Sequence, residues 1–167
     1  MRKILALLVL LTLTLFGAEE IYYEDDISVQ EAYEMVQKGA IFIDVRTPGE
    51  YIYAGHPLGA VSIPVFDYSY KPKALQLRLN LAKKEKKRAL DAHKVYDITP
   101  VENKQFAEDV AKLLKLVGNH PIVLICRTGA RSQYAANLLA KKGFAEVYNV
   151  EGGFLAWKKA KLPYGGE

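Results

Sequence analysis

An α/β fold, with a central parallel β-sheet flanked by helices, is what this 167-residue chain predicts, on three observations. The run Ile41-Phe42-Ile43-Asp44-Val45 has the compact apolar character of a buried parallel strand, and Ile122–Ile125 and Val147–Val150 read as further strands. These runs alternate with segments that carry helix start and stop signals. Half of the residues are hydrophobic and a quarter are charged, the balance of a folded globular chain. The length suits one domain with a full core.

The first segment reads as a targeting signal. Met1-Arg2-Lys3, the apolar run Ile4 to Phe16 and then Gly17-Ala18-Glu19-Glu20 give the charged, apolar and small-residue zones of a secretory peptide. The run is shorter than the roughly 20 residues that span a bilayer, and Thr12 and Thr14 interrupt it. Residues 1–18 are therefore expected to be removed near Ala18, with a periplasmic domain over 19–167 and membrane contact only through the uncleaved signal. No cysteine follows the run, so a lipid anchor is not indicated.

Ser28 and Glu31 form a capping box ahead of a helix over Val29 to Lys38, which Gly39 stops. After the strand Ile41–Val45, Thr47-Pro48-Gly49-Glu50 opens a second short helix with another capping box. Val61-Ser62-Ile63-Pro64 reads as a brief strand. Tyr68 to Asp97 mixes alternating Leu75, Leu77, Leu79 and Leu81 with strong helix formers, and is read as helix. Thr99-Pro100-Val101-Glu102 is expected to start a long helix with Phe106, Val110, Leu113, Leu114 and Val117 on one face, ending at Gly118. The strand Ile122–Ile125 leads to a helix from about Arg131 to Lys142, closed by Gly143. The strand Val147–Val150 and the turn Glu151-Gly152-Gly153 precede a last helix, in which Phe154 and Trp157 have the spacing of core residues.

The formal net charge of +4 is mild, and two of its charges come from Arg2 and Lys3, so nucleic acid is not suggested as a partner. The charge is uneven, with nine Lys or Arg against Glu85 and Asp91 between Lys71 and Lys94. Lys83-Lys84-Glu85-Lys86-Lys87-Arg88 is read as a solvated helix face, with an acidic partner or a membrane surface as the alternative. His56, His93 and His120 are scattered without ligand spacing, so no metal and no cofactor are assigned. Asp44 and Arg46, at a strand's end, are expected to form a buried structural pair.

Cys126 is the single cysteine, so no intramolecular disulfide can form and its thiol is free for chemistry. It sits at the carboxyl end of the strand Ile122–Ile125 and opens the loop Arg127-Thr128-Gly129-Ala130-Arg131-Ser132, the edge where open α/β sheets place their sites. A thiol attacks only as its thiolate. Adjacent arginines, loop N–H groups and the positive end of the following helix all favour that charged form, and the same features bind an anionic substrate.

Four separated blocks carry a resemblance. They are Ile43-Asp44-Val45-Arg46 with Glu50-Tyr51, Gly55-His56 with Gly59 to Pro64, the loop Cys126 to Ser132, and Val150-Glu151-Gly152-Gly153-Phe154 with Ala156-Trp157. Together and in this order, they make the chain resemble the rhodanese-like sulfurtransferases from about Ser28 to Pro163. The resemblance implies a single rhodanese-like domain in which Cys126 takes a sulfane sulfur from a small anionic donor, thiosulfate or a polysulfide or persulfide. Cys126 would hold it as a persulfide and pass it to a thiol, cyanide or protein acceptor. It also implies that the amides of Arg127, Thr128, Gly129, Ala130 and Arg131 cradle the persulfide, while the Arg127 and Arg131 side chains attract the donor. The alternative is a sulfur carrier that serves one dedicated partner and turns over small donors poorly.

Phosphatases share that fold, but they place five residues between cysteine and arginine, whereas four separate Cys126 from Arg131 and residue 132 is Ser. The smaller loop suits a sulfur atom better than a phosphoryl group, and no acid in it offers itself as a proton donor. The chain departs from the family pattern at Gly55-His56-Pro57-Leu58-Gly59-Ala60, where the proline is displaced. A larger departure is the basic insertion over about 68–98, which is positioned to affect substrate access and partner choice.

Overall fold

The computed structural model describes residues 21–84 and 92–166; the candidate signal 1–18, the basic run 85–88 and the His93 side chain lie outside what it describes. Five parallel strands make the central sheet: β1 (Asp25–Ile27), β2 (Ile41–Asp44), β4 (Val61–Ser62), β7 (Ile122–Ile125) and β8 (Val147–Val150), in the order β1-β8-β7-β2-β4. β7 is central, with Ile122–Ile125 opposite Ile41–Asp44 on one side and Ile122–Leu124 opposite Val147–Asn149 on the other.

Helices cover both faces, as continuous apolar strands require. On one side, α5 (Phe106–Val117) and α6 (Ala130–Lys141) pack on Ile41, Ile43, Ile122 and Leu124. On the other, α1 (Val29–Gln37) and α7 (Gly153–Lys159) pack on Phe42, Val123, Ile125 and Val150, with Trp157 fully buried among them. The period of two along β7 thus turns Cys126, with Ile122 and Leu124, toward α6.

Both predicted capping boxes are present. The Ser28 hydroxyl accepts from the Glu31 amide while the Glu31 carboxylate accepts from the Ser28 amide; Thr47 and Glu50 do the same at α2 (Pro48–Tyr53). A small ribbon pairs β3 (His56–Pro57) with β9 (Tyr164–Gly165), and His56 stacks on Tyr51 at 3.7 Å.

The region after β4 departs from expectation. Helix forms only at α3 (Leu75–Lys84) and in the short α4 (Ala92–Val95), while β5 (Phe66–Pro72) and β6 (Tyr96–Glu102) form an antiparallel ribbon. The helix expected from Thr99 begins instead at Phe106. Thr-Pro resembles a helix start, but Ile98, Thr99 and Val101 are β-branched and pair with Tyr70, Ser69 and Asp67 across the ladder. Pro100 opposes Tyr68 and Pro72 opposes Tyr96. Counting from the bonded pairs at Val65 with Asn103 and Lys73 with Val95, both prolines fall on non-hydrogen-bonded positions, where no N–H is needed. Asn103 ends the ribbon: its side-chain amide donates to the Pro64 carbonyl, and its side-chain oxygen accepts from the Gln105 amide.

Asp44 and Arg46 form the expected buried pair. Arg46 Nη2 lies 2.6 Å from Asp44 Oδ2 and 2.7 Å from the Gly55 carbonyl, and the guanidinium sits 4.3 Å from the Phe154 ring centroid. Removing one partner leaves a charge with no water to receive it. Arg46→Met is therefore expected to destabilise the fold by about 3 to 5 kcal/mol in denaturant titration, whereas an effect under about 1 kcal/mol would refute a dependence of the fold on the pair.

Candidate active site

Cys126 leaves the buried end of β7 with only 1% of its surface exposed. The loop then climbs outward: Arg127 and Thr128 are exposed, Gly129 is buried, and Ala130 begins α6. Gly129 adopts φ +108°, which an L side chain rarely takes, and this turn aims its amide at Cys126 Sγ from 3.1 Å.

The carbonyls of the loop are disposed of elsewhere. The Phe154 amide donates to the Cys126 carbonyl at 2.8 Å and the Leu155 amide to that of Arg127 at 3.1 Å, so the N-terminus of α7 receives oxygens that would otherwise face the sulfur. This close seating depends on Gly153. A Cβ there would lie 2.6 Å from the Cys126 oxygen and 2.7 Å from that of Arg127, and its φ of +56° is also unfavourable for a side chain.

Burial pushes the Cys126 thiol up, but the Ser132 hydroxyl and the amides of Ser132, Thr128 and Gly129 outweigh it and leave the thiol below its ordinary value. The Ser132 hydroxyl also reaches the Gly129 carbonyl at 2.9 Å, tying the loop to the first turn of α6. The dipole of this 12-residue helix acts in the same direction as the amides.

The two arginines separate. Arg127 extends into solvent, while Arg131 is gripped by Glu50 of α2 through two 2.7 Å bonds, Nη1 to Oε2 and Nη2 to Oε1. Burial raises the Glu50 carboxyl, but the Arg131 hydrogen bonds and charge, joined by the Thr47 amide and hydroxyl, bring it down to about 2. Arg131 is raised by the same pairing, and the Cys126 sulfur also acts on its charge. The structure thus brings together Cys126, Thr128, Gly129 and Arg131, and leaves Arg127 as the cation open to solvent. Glu50, Ser132 and Gly153 complete the arrangement; none was among the predicted site residues. Ser132 and Glu50 lay inside the recognised sequence blocks, and the Gly152-Gly153 pair was the available signal for close helix approach.

Among the described residues, no group of three or more His, Cys, Asp or Glu is placed to hold a metal, and no helix is long and apolar enough to cross a membrane. The arrangement is a buried thiol whose charged form is favoured by a loop of inward amides.

The rhodanese-like domain family matches residues 28–160. The chain belongs to that family. Its rhodanese-like domain is 27% identical over 146 residues to thiosulfate sulfurtransferase 16, chloroplastic, of Arabidopsis thaliana, covering 87% of this chain and 97% of that protein. It is 26% identical over 147 residues to rhodanese-like domain-containing protein 15, chloroplastic, of the same plant, covering 88% of this chain but 64% of that protein's length. The fold is shared with the crystal structure of Rv0390 from M. tuberculosis, at a TM-score of 0.55 and 21% identity over 87% of this chain and 99% of that one.

Two outcomes follow for the rhodanese loop. Gly153→Ala should displace the Cys126–Arg127 carbonyls and slow alkylation of Cys126 by iodoacetamide about tenfold or more, through lost thiolate stabilisation; an unchanged rate would mean that α7 does not position the loop. Glu50→Gln keeps the capping-box geometry but removes the charge. Folding lowers the Glu50 pKa from its ordinary 4.5 to about 2, so its contribution to stability is complete above 4.5 and fades as pH falls toward 2. The melting-temperature gap between wild type and Glu50→Gln should accordingly be widest at neutral pH and close near pH 2.

Proposed function

We propose that this chain is a rhodanese-type sulfurtransferase that moves a sulfane sulfur from an anionic donor, through a persulfide on Cys126, to a thiophilic acceptor. The observation that carries this reading is a buried thiol held below its ordinary pKa by amides converging on its sulfur. Family membership and relatives named thiosulfate sulfurtransferase support sulfurtransferase activity in general terms.

In the first half-reaction the Cys126 thiolate attacks the outer sulfur of the donor. With thiosulfate, an S–S bond forms to Cys126, the donor's own S–S bond breaks, and its electron pair leaves with sulfite. Arg127 attracts the dianion, and the amides of Thr128, Gly129 and Ser132 hold the persulfide anion as they hold the thiolate. In the second half-reaction an acceptor such as cyanide attacks the outer persulfide sulfur, leaving as thiocyanate and returning Cys126 to its thiolate. No proton moves at the sulfur in either step, so a low thiol pKa serves both. Export through the 1–18 signal and work in the periplasm are part of the same proposal, supported by the charged, apolar and small-residue zones of that segment.

The 1% exposure of Cys126 favours one second reading, a carrier that loads slowly from small donors and yields its sulfur to a docked partner. Turnover with small donors separates the two. Intact mass spectrometry of residues 19–167 after thiosulfate should show one added sulfur, lost on cyanide treatment with release of thiocyanate and absent in Cys126→Ser. No gain from thiosulfate, polysulfide or organic donors would overturn the enzyme. Ser132→Ala should move the rising limb of the pH profile for sulfur loading to higher pH, because the thiol loses a group that favours its charged form; an unmoved limb would remove Ser132 from the mechanism.

A further inference from the structure

Helix α3 has no core to serve. It carries Leu75, Leu77, Leu79 and Leu81 within ten residues, yet none of its side chains is buried, and Leu75, Leu77 and Leu79 are 61%, 44% and 47% exposed. At about 3.6 residues per turn, these leucines and Ala82 cover an arc of roughly 200° with Arg78 among them, while Gln76, Asn80, Lys83 and Lys84 take the rest. A helix this short does not persist in water on propensity alone. Its neighbour in the fold is the four-residue α4, which leaves the leucines exposed, so the arc calls for a further cover.

Charge decides what that cover is. From Lys71 to Lys84 the chain has five Lys or Arg and no acid. Lys73 reaches Asp97 of β6 at 3.7 Å, but among the described residues no carboxylate pairs with Arg78, Lys83 or Lys84, and Arg78 Nε has no hydrogen-bond partner. Interfaces between proteins are poor in lysine and rich in aromatic rings, whereas α3 has two lysines and no ring. A second copy docked arc to arc would set these cations against themselves. An anionic bilayer offers acyl chains to the leucines and phosphates to the cations, and its plane accepts an arc too wide for a groove.

We propose that the insertion is a membrane-docking arm, with α3 lying in the surface of an anionic bilayer, its leucines at the acyl boundary and Arg78, Lys83 and Lys84 on lipid phosphates. The β5–β6 ribbon is the stalk of this arm. Its base is fixed by the Asn103 side chain, which donates to the Pro64 carbonyl at 2.8 Å, and by the Phe66 ring, 5.0 Å from that of Tyr134. Its far end closes with the Lys73 amide on the Val95 carbonyl at 2.9 Å, and the seven residues of β5 carry α3 about 20 Å from the base. Docking there makes no use of the Cys126 loop. The contact is separate from that of an uncleaved signal, and it stands without the sulfurtransferase reading.

The test is amide hydrogen exchange over α3, read by mass in the full chain, with vesicles of phosphatidylcholine alone or mixed in equal parts with phosphatidylglycerol. Because the readout is confined to α3, entry of residues 1–18 into lipid does not mimic it. The mixed vesicles should slow exchange about tenfold or more, the neutral ones should have little effect, and added salt should restore fast exchange. Leu75→Ser combined with Leu79→Ser should remove the slowing, and so should Lys83→Gln combined with Lys84→Gln. None of these side chains is buried, so both variants should melt with the wild type. Equal slowing by both kinds of vesicle, or slowing unchanged in the folded variants, overturns the arm. Slowing by polyglutamate but not by vesicles overturns it in favour of an acidic protein partner.

Discussion

The hydrogen bonds by which Phe154 and Leu155 take the carbonyls of Cys126 and Arg127 are the constraint on which the site depends. A peptide loop around a sulfur presents either its N–H groups or its C=O groups, and only the former stabilise an anion. By drawing the oxygens onto its own unsatisfied N-terminus, α7 leaves the following amides to turn inward. That arrangement needs backbone contact closer than any Cβ allows, which is why Gly153 stands where it does. One helix start thus orients the loop while another, that of α6, contributes its dipole to the sulfur.

Around this seat, the charged groups brace more than they bind. Glu50 caps α2 and grips Arg131 of α6, joining a helix that follows β2 to the helix that follows β7. Arg46 neutralises Asp44 at the end of β2, is almost fully buried, and lies over Phe154, whose own amide donates to the Cys126 carbonyl. The thiolate is therefore favoured chiefly by oriented dipoles, which are rigid and cost little reorganisation when charge moves from sulfur to sulfur. Arg127 is left exposed to solvent.

Much of this was legible in the chain. The sites of apolar runs, the capping boxes at Ser28 and Thr47, and the stops at Gly39 and Gly143 act through neighbours within four residues, and the corresponding elements form as expected. Cys126, at a strand's carboxyl end before a polar loop, was equally visible, because strand, turn and helix signals there are contiguous. The ribbon was not. Thr99-Pro100-Val101-Glu102 carries the local marks of a helix start, and only pairing with Phe66–Pro72, some thirty residues away in sequence, makes strand the better solution. Local preference is weak enough for such a ladder to override it.

The sequence by itself determined the α/β architecture, the place of the lone cysteine at a strand's end and the loop that surrounds it, since each is written in short-range periodicity or in residue chemistry. Tertiary structure alone decided which arginine stays exposed, that Glu50 rather than solvent receives the other, that Gly153 sits beneath the loop, and that an aromatic ribbon packs against α6. Each of these joins residues from separate elements. Their distances are set by how helices and sheet pack, and no local pattern along the chain encodes a distance across it.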